Sequence, residues 1–221
     1  MRVLIGCESS GVTRRAFREA GHDAWSCDIL PSEDNSPYHL QCDVRDVLDL
    51  WWDLGIFHPD CTYLTNAAAW AYTDGPYHQK VKPGTPVGLE RRILRQQALA
   101  FVQLLMDAPI ERIAIENPVG VISTAVRPAD QYIQPFEYGH SASKKTGLWL
   151  KNLPVLRPTY IVPGRMVNGV ERWDNQTDSG QNKLTPSPDR WRERSRTYDG
   201  WSQAMVTQWG NLPIHQGDQP I

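Results

Sequence analysis

Cysteine is scarce in this chain: four occur in 221 residues, Cys7, Cys27, Cys42 and Cys61, all in the first third. No two form a CxxC pair, and without a secretion signal the thiols are expected to stay reduced. A zinc site from Cys7, Cys27, Cys42 and His22 lacks the close ligand pairs such sites use, so no metal is expected. Those three thiols read as small, half-buried residues at strand ends. Long apolar runs are missing too. The opening run Met1-Arg2-Val3-Leu4-Ile5-Gly6-Cys7-Glu8 is too short for a signal peptide and far too short to span a bilayer. A cytoplasmic protein with no membrane partner is expected. Net charge is nearly absent, and a formal −2 makes no overall electrostatic case for nucleic acid. No internal repeat and no boundary between two domains is visible. A 221-residue chain with 40% hydrophobic content holds one sizeable core.

What is present begins with a strand, a helix and a strand. Arg2 to Gly6 is strand-like, Cys7-Glu8-Ser9-Ser10-Gly11 is a small polar turn, and Val12 to Ala20 has helical spacing closed by Gly21. Asp23 to Cys27 is the second strand, with Asp28 at its end. In nucleotide- and nucleoside-binding sheets such a turn lets backbone approach the ligand, and the acid accepts from ribose hydroxyls. The turn is not GxGxxG, and Glu8 suits a ligand with a cationic or neutral end better than a pyrophosphate. The alternative for Asp28 is a turn or helix-cap acid before Pro31. Asp43 follows a third strand near residues 39–44 and precedes a helix expected over 44–51; it can meet an adenine amino group or cap that helix.

Two further strand ends carry chemistry. Gly55-Ile56-Phe57-His58-Pro59-Asp60-Cys61-Thr62-Tyr63-Leu64 is a short apolar strand that stops at proline and presents a cysteine. Arg112-Ile113-Ala114-Ile115-Glu116-Asn117-Pro118 is a second, ending in an acid and an amide. Ligands of open α/β sheets sit outside the carboxyl ends of strands. A thiol and an acid at neighbouring strand ends make a nucleophile and its proton donor or hydrogen-bond partner.

Between them, residues 71–88 are a Gly- and Pro-rich loop whose Lys80 and Lys82 lead into Arg91, Arg92 and Arg95 on an amphipathic helix over 89–106. That basic cluster reads as a phosphate contact or a solvated helix face. A helix or turn is expected over 122–129, an extended segment over 132–136 and a strand over 147–150, just after Lys144 and Lys145. Residues 163–188 turn polar, an excursion from the core and in part without order. Arg190, Arg192, Arg194 and Arg196 follow, and a last helix over 199–209 puts Trp201, Met205 and Trp209 on one core-facing stripe.

The order of these features is small-residue turn, acid, acid, cysteine and Glu-Asn-Pro after successive strands. It resembles the DNA cytosine carbon-5 methyltransferases, and more closely their short, often phage-encoded, methyltransferase-like relatives. His58 to Leu64 and Glu116 to Pro118 carry the resemblance. Asp60 stands where those relatives carry a second proline. The resemblance covers about residues 1 to 160 and the last helix, without a large target-recognition domain; the excursion at about 163–190 stands in its place.

The resemblance implies a single Rossmann-like, S-adenosylmethionine-dependent methyltransferase domain, α/β in class, with a mostly parallel sheet and helices on both faces. It implies methyl transfer to carbon 5 of cytosine in DNA through a covalent Cys61 adduct, with Glu116 on the ring N3 and exocyclic amine and Asn117 fixing the loop. The cofactor would lie against Cys7, Glu8, Ser9, Ser10, Gly11, Asp28, Asp43 and Pro59; Thr62, Pro118, Lys144 and Lys145 would meet the substrate. In duplex DNA the base must be flipped out to reach Cys61. Two alternatives stand beside this. One is the same covalent chemistry on a free pyrimidine nucleotide, or with another transferred group. The other is a catalytically silent nucleic-acid or partner-binding protein, in which Asp60 blunts the thiol unless a cation offsets it.

Overall fold

The computed structural model describes residues 1–78, 80–185, 187 and 190–213, the side chain of Trp191 excepted. Its centre is β1 (Arg2–Gly6), whose Val3, Leu4 and Ile5 are fully buried. Such a run, apolar on both faces, is the mark of a strand covered above and below. Parallel partners extend the sheet outward: β2 (Asp23–Asp28) and β3 (His39–Gln41) on one side, β4 (Leu54–Phe57) and β5 (Arg112–Pro118) on the other. Beyond β5 lie β7 (Thr146–Lys151), antiparallel, and then β6 (Gln131–Ile133), giving the order β3-β2-β1-β4-β5-β7-β6.

Helices cover both faces. On one, α1 (Val12–Glu19) packs against α5 (Asp199–Trp209), and Phe17, Trp201, Met205 and Trp209 are buried there. The stripe on the last helix is core, as its spacing predicts. On the other face, α2 (Gly88–Met106) buries Leu99, Val102 and Leu105 against Leu4, Phe57 and Ile113. Among the described residues no helix is long and apolar enough to cross a membrane.

Three expectations need correction. In place of a helix over 44–51 there is one 3-10 turn, Val44–Val47. The indole of the buried Trp52 donates to the Val47 carbonyl at 2.6 Å, and Trp51 turns back with φ 61°, so the chain swings into β4 instead of continuing to coil. The expected element over 122–129 shrinks to α3 (Ile122–Ala125), and the extended 132–136 segment becomes β6 followed by a 3-10 turn at Pro135–Glu137. Gln134 and Glu137 form a capping box there, the Gln134 amide donating to Glu137 at 2.7 Å.

The polar excursion over 163–188 lies in part outside the described residues. Its described part is ordered around a two-stranded hairpin, β8 (Arg165–Val167) and β9 (Val170–Arg172), and Trp173 stacks on Phe136 at 4.0 Å. A short basic helix, α4 (Arg190–Ser195), follows, and Arg192 and Arg196 reach Glu33 at 3.6 and 4.0 Å.

Candidate active site

Strand register builds the site. Gly6 lies beside Cys27 and Phe57, and Phe57 beside Ile115. One residue further on, Cys7, Asp28, His58 and Glu116 therefore stand in a row along the carboxyl edge of the sheet, where open α/β sheets bind ligands. Asp43 lies two residues past the end of β3.

The loop after β4 is tied to the loop after β5 at two points. The buried Asn117 side chain donates to the Pro59 carbonyl at 2.7 Å. Further out, Val121 N–H donates to the Leu64 carbonyl at 2.8 Å, and a Cβ on Gly120 would fall 2.0 Å from that oxygen. Only glycine permits this approach. Cys61 and Glu116 are thereby held at one end of the sheet.

Asp60 is turned to local use. Its carboxylate accepts from the backbone N–H and hydroxyl of Thr62 at 3.0 and 2.8 Å, an Asx turn that shapes the cysteine loop. The half-buried Cys61 thiol is still pushed up by burial and by Asp60, with Lys144 opposing and Glu116 adding to the rise. Burial alone would also push Glu116 up. The Lys144 ammonium and a 2.9 Å hydrogen bond from His58 Nδ1 outweigh it and hold the carboxyl below its ordinary range. Glu116 Oε1 is buried with no hydrogen-bond partner within the described protein.

Lys144 is thus the cation of the site, its Nζ 5.7 Å above the Trp201 ring and 6.0 Å above that of Tyr198. Its segment is fixed from outside. Lys144 N–H donates to Gln134 at 2.9 Å, and Asn175 of the excursion exchanges two 2.9 Å hydrogen bonds with the Ser143 backbone. Lys145 goes elsewhere, 4.6 Å over the Tyr132 ring. Pro118 pairs with Thr146 in the β5–β7 ladder.

Three arginines of the basic cluster turn onto backbone carbonyls, while Lys80 and Lys82 are exposed. Arg95 donates to the Tyr63 and Thr65 carbonyls at 2.9 and 3.3 Å and lies 3.3 Å over the Tyr72 ring. Arg91, buried, reaches the Thr62 carbonyl at 3.4 Å. Both guanidinium groups clamp the backbone just past Cys61. Arg92 binds the Tyr72 carbonyl and Asp74.

At the other half of the edge, Gly11 sits at φ 67°, and a Cβ there would meet the buried Arg14 guanidinium. Glu8 spends its carboxylate on the start of α1, accepting from Thr13 N–H at 2.8 Å and from Ser10 and Arg14 at 3.4 Å. The Ser9 carbonyl accepts from Glu33 N–H at 2.9 Å. Asp28 accepts from Leu30 N–H at 2.9 Å, the turn its sequence allows, beside an Ile29 that is 72% exposed. Asp43 caps the 3-10 turn and pairs with Arg45. Burial, Asp28, Asp43 and Asp60 together push the Cys7 thiol up to about 12.

The Sγ atoms of Cys27 and Cys42 are 3.7 Å apart, while His22 precedes β2 at the opposite edge, about 16 Å from Cys27 along the chain. No cluster able to hold a metal ion occurs among the described residues. Sequence reasoning missed His58, whose place between a strand and Pro-x-Cys was the available signal. It also missed the clamps from Arg91, Arg95 and Asn175, for which sequence offered none.

Fold and site together define a Rossmann-like α/β architecture with a thiol, a carboxylate and an ammonium gathered at its carboxyl edge. Among solved structures the chain is similar to a prophage-encoded E. coli protein proposed to be a DNA modification methyltransferase (16% identity, TM-score 0.46), over 76% of this chain and 53% of that one. It is also similar to a triple-substitution variant of Spodoptera frugiperda DNMT2 (17% identity, TM-score 0.41), over 77% of this chain and 57% of that one. The aligned region is thus a little over half the length of each. No protein-family model matches the sequence, and no curated protein matches it.

Proposed function

We propose that this protein transfers a methyl group to carbon 5 of cytosine in DNA through a transient bond between Cys61 and carbon 6. One observation carries the reading: Cys61 and Glu116 share the end of the sheet with Lys144, and Glu116 keeps one buried oxygen free.

Those residues divide the work. Lys144 favours the Cys61 thiolate, which adds to carbon 6 and makes carbon 5 nucleophilic. Glu116 Oε1 accepts from the exocyclic amine as charge spreads over the ring, in a buried setting where that contact is strong. Asn117 and the arginine clamps hold the thiol in reach of the ring. Carbon 5 takes the methyl, and its proton then passes to solvent water, which re-forms the 5,6 double bond and expels Cys61 as the thiolate.

The residues of the cofactor edge fit S-adenosylmethionine. Acids at Asp28, Asp43 and Asp60 surround this edge, which suits a sulfonium cation and opposes a pyrophosphate. Asp28 beside the exposed Ile29 offers a ribose acceptor next to an apolar surface. When bound, the group supplies an electrophilic methyl.

The same chemistry on a free pyrimidine nucleotide is the second reading, favoured by the small size of the β8–β9 hairpin where a recognition domain would stand. The silent-binder reading keeps one argument, that Asp60 raises the Cys61 thiol more than Lys144 lowers it. Labelled S-adenosylmethionine should be offered with DNA, RNA and nucleotides, and the modified base identified by mass spectrometry. A 5-fluorocytosine substrate should trap the protein covalently, and Cys61→Ala should not be trapped. Turnover that persists in Cys61→Ala overturns the reading.

A further inference from the structure

We propose that His58 is the positioning residue of this site, gripping one oxygen of Glu116 so that the other meets the base as a single, charged acceptor. The purpose given to that oxygen rests on the function proposed above; the grip itself does not.

The pair is built by the sheet. His58 follows the last residue of β4, and the register that sets Phe57 beside Ile115 sets His58 beside Glu116. Nδ1 lies 2.9 Å from Oε2, with the two side chains 10% and 6% exposed. An ionised carboxylate only accepts, so Nδ1 carries the shared proton. A residue that merely stapled two strands would leave nothing over. Here Glu116 Oε1 and His58 Nε2 are both buried without a partner in the described protein, one at each end of the pair. Buried polar groups are nearly always satisfied, so two orphans on one pair point to a ligand edge that completes them.

The grip matters because a free carboxyl can rotate, and a buried one tends to take a proton. A protonated or swung Glu116 no longer presents an acceptor to an amine. Other groups also act on it: Lys144 from the segment before β7, and Cys61, with Asp60 beyond it, from the loop after β4. Lys144 supports ionisation from a distance and the Thr146 hydroxyl adds to it, whereas His58 Nδ1 lies within hydrogen-bond distance of Oε2 at 2.9 Å.

The test reads Glu116 directly. Side-chain carboxyl 13C shifts, with the Glu116 signal assigned by its loss in Glu116→Gln, give its titration midpoint without substrate. In the parent protein the midpoint should lie below the ordinary glutamate range. In His58→Phe it should rise by about one pH unit or more. In His58→Asn, whose amide N–H can stand near the Nδ1 position, most of the rise should be undone. The acid limb of 5-fluorocytosine trapping should move with the midpoint in each variant.

If His58→Phe does not fold, long-range 1H–15N spectra of the parent protein decide. A proton on His58 Nδ1 supports the proposal, and a ring protonated on Nε2 alone overturns it. An unmoved Glu116 midpoint in a folded His58→Phe overturns it as well. A midpoint that moves while the parent protein traps no pyrimidine sinks the proposed reaction and leaves the grip standing.

Discussion

The side-chain amide of Asn117 donates to the backbone carbonyl of Pro59 across 2.7 Å, joining two strand ends separated by 58 positions in the chain. This bond fixes the distance between the nucleophile loop and the carboxylate strand. Asn117→Ala should cost about 1–3 kcal/mol of stability, because it leaves a buried carbonyl unpaired. Thermal unfolding measures that cost. Trapping by 5-fluorocytosine should fall well below what the fraction of folded protein accounts for.

Lys144 opposes burial and Asp60 at the thiol, so its removal has a definite sign. The Cys61 thiol is already raised, and activity should climb towards alkaline pH as thiolate forms. Lys144→Met should move that climb further alkaline and lower the rate at neutral pH by about tenfold, the effect of one unit in the thiol. A pH–rate profile with an unmoved limb would remove Lys144 from the site. Lys145→Met, which strips a charge lying on Tyr132, should leave the limb in place.

Arg95 acts through backbone carbonyls on either side of Leu64. Arg95→Ala should lower trapping by about tenfold or more while the protein stays folded, the scale on which misplaced reacting groups lose rate. Arg95→Lys should restore little, since one ammonium does not reproduce a planar fork gripping two carbonyls and lying on a ring. Trapping rates with melting curves as control separate these outcomes.

Asp28 and Asp43 are distinguishable by calorimetry with S-adenosylmethionine. Asp28→Ala should weaken binding by about 1–3 kcal/mol, the scale for an unpaired polar partner. Asp43→Ala should weaken it less, because the Asp43 carboxylate is committed to Arg45 and the 3-10 turn. Equal losses would place both acids on the cofactor.

Asp34 gives a prediction about acid stability. Burial disfavours its charge, yet the Ser32 hydroxyl, Arg15 and Arg14 hold it down at about 2. A depressed carboxyl contributes stability that is fully present above the unfolded value near 4 and lost as pH falls through about 2. Asp34→Asn should therefore destabilise the protein by about 1–2 kcal/mol at pH 7, with the difference fading between about pH 4 and 2. Denaturant unfolding at several pH values tests it.

The central strands were legible in the sequence because residues such as Val3-Leu4-Ile5 and Ile113-Ala114-Ile115 must be apolar on both faces of a covered sheet. That burial pattern is local, and it suffices to set Glu116 at a strand end and Cys61 on the loop just beyond another. What long polar side chains do there is not local. The choice of Lys144 over Lys145 comes with the Gln134 contact to Lys144 and the Asn175 contact to Ser143, brought in from 10 and 32 positions away. Arg91 and Arg95 look like a solvent face by spacing, and only the approach of the cysteine loop turns them onto its carbonyls. His58 stands in the sequence only as the residue before Pro-x-Cys, and its partner Glu116 appears once β4 and β5 lie side by side. Periodicity records which face of an element is buried; the partner that a flexible charged group finds is decided by which distant loops the fold brings within a few ångströms.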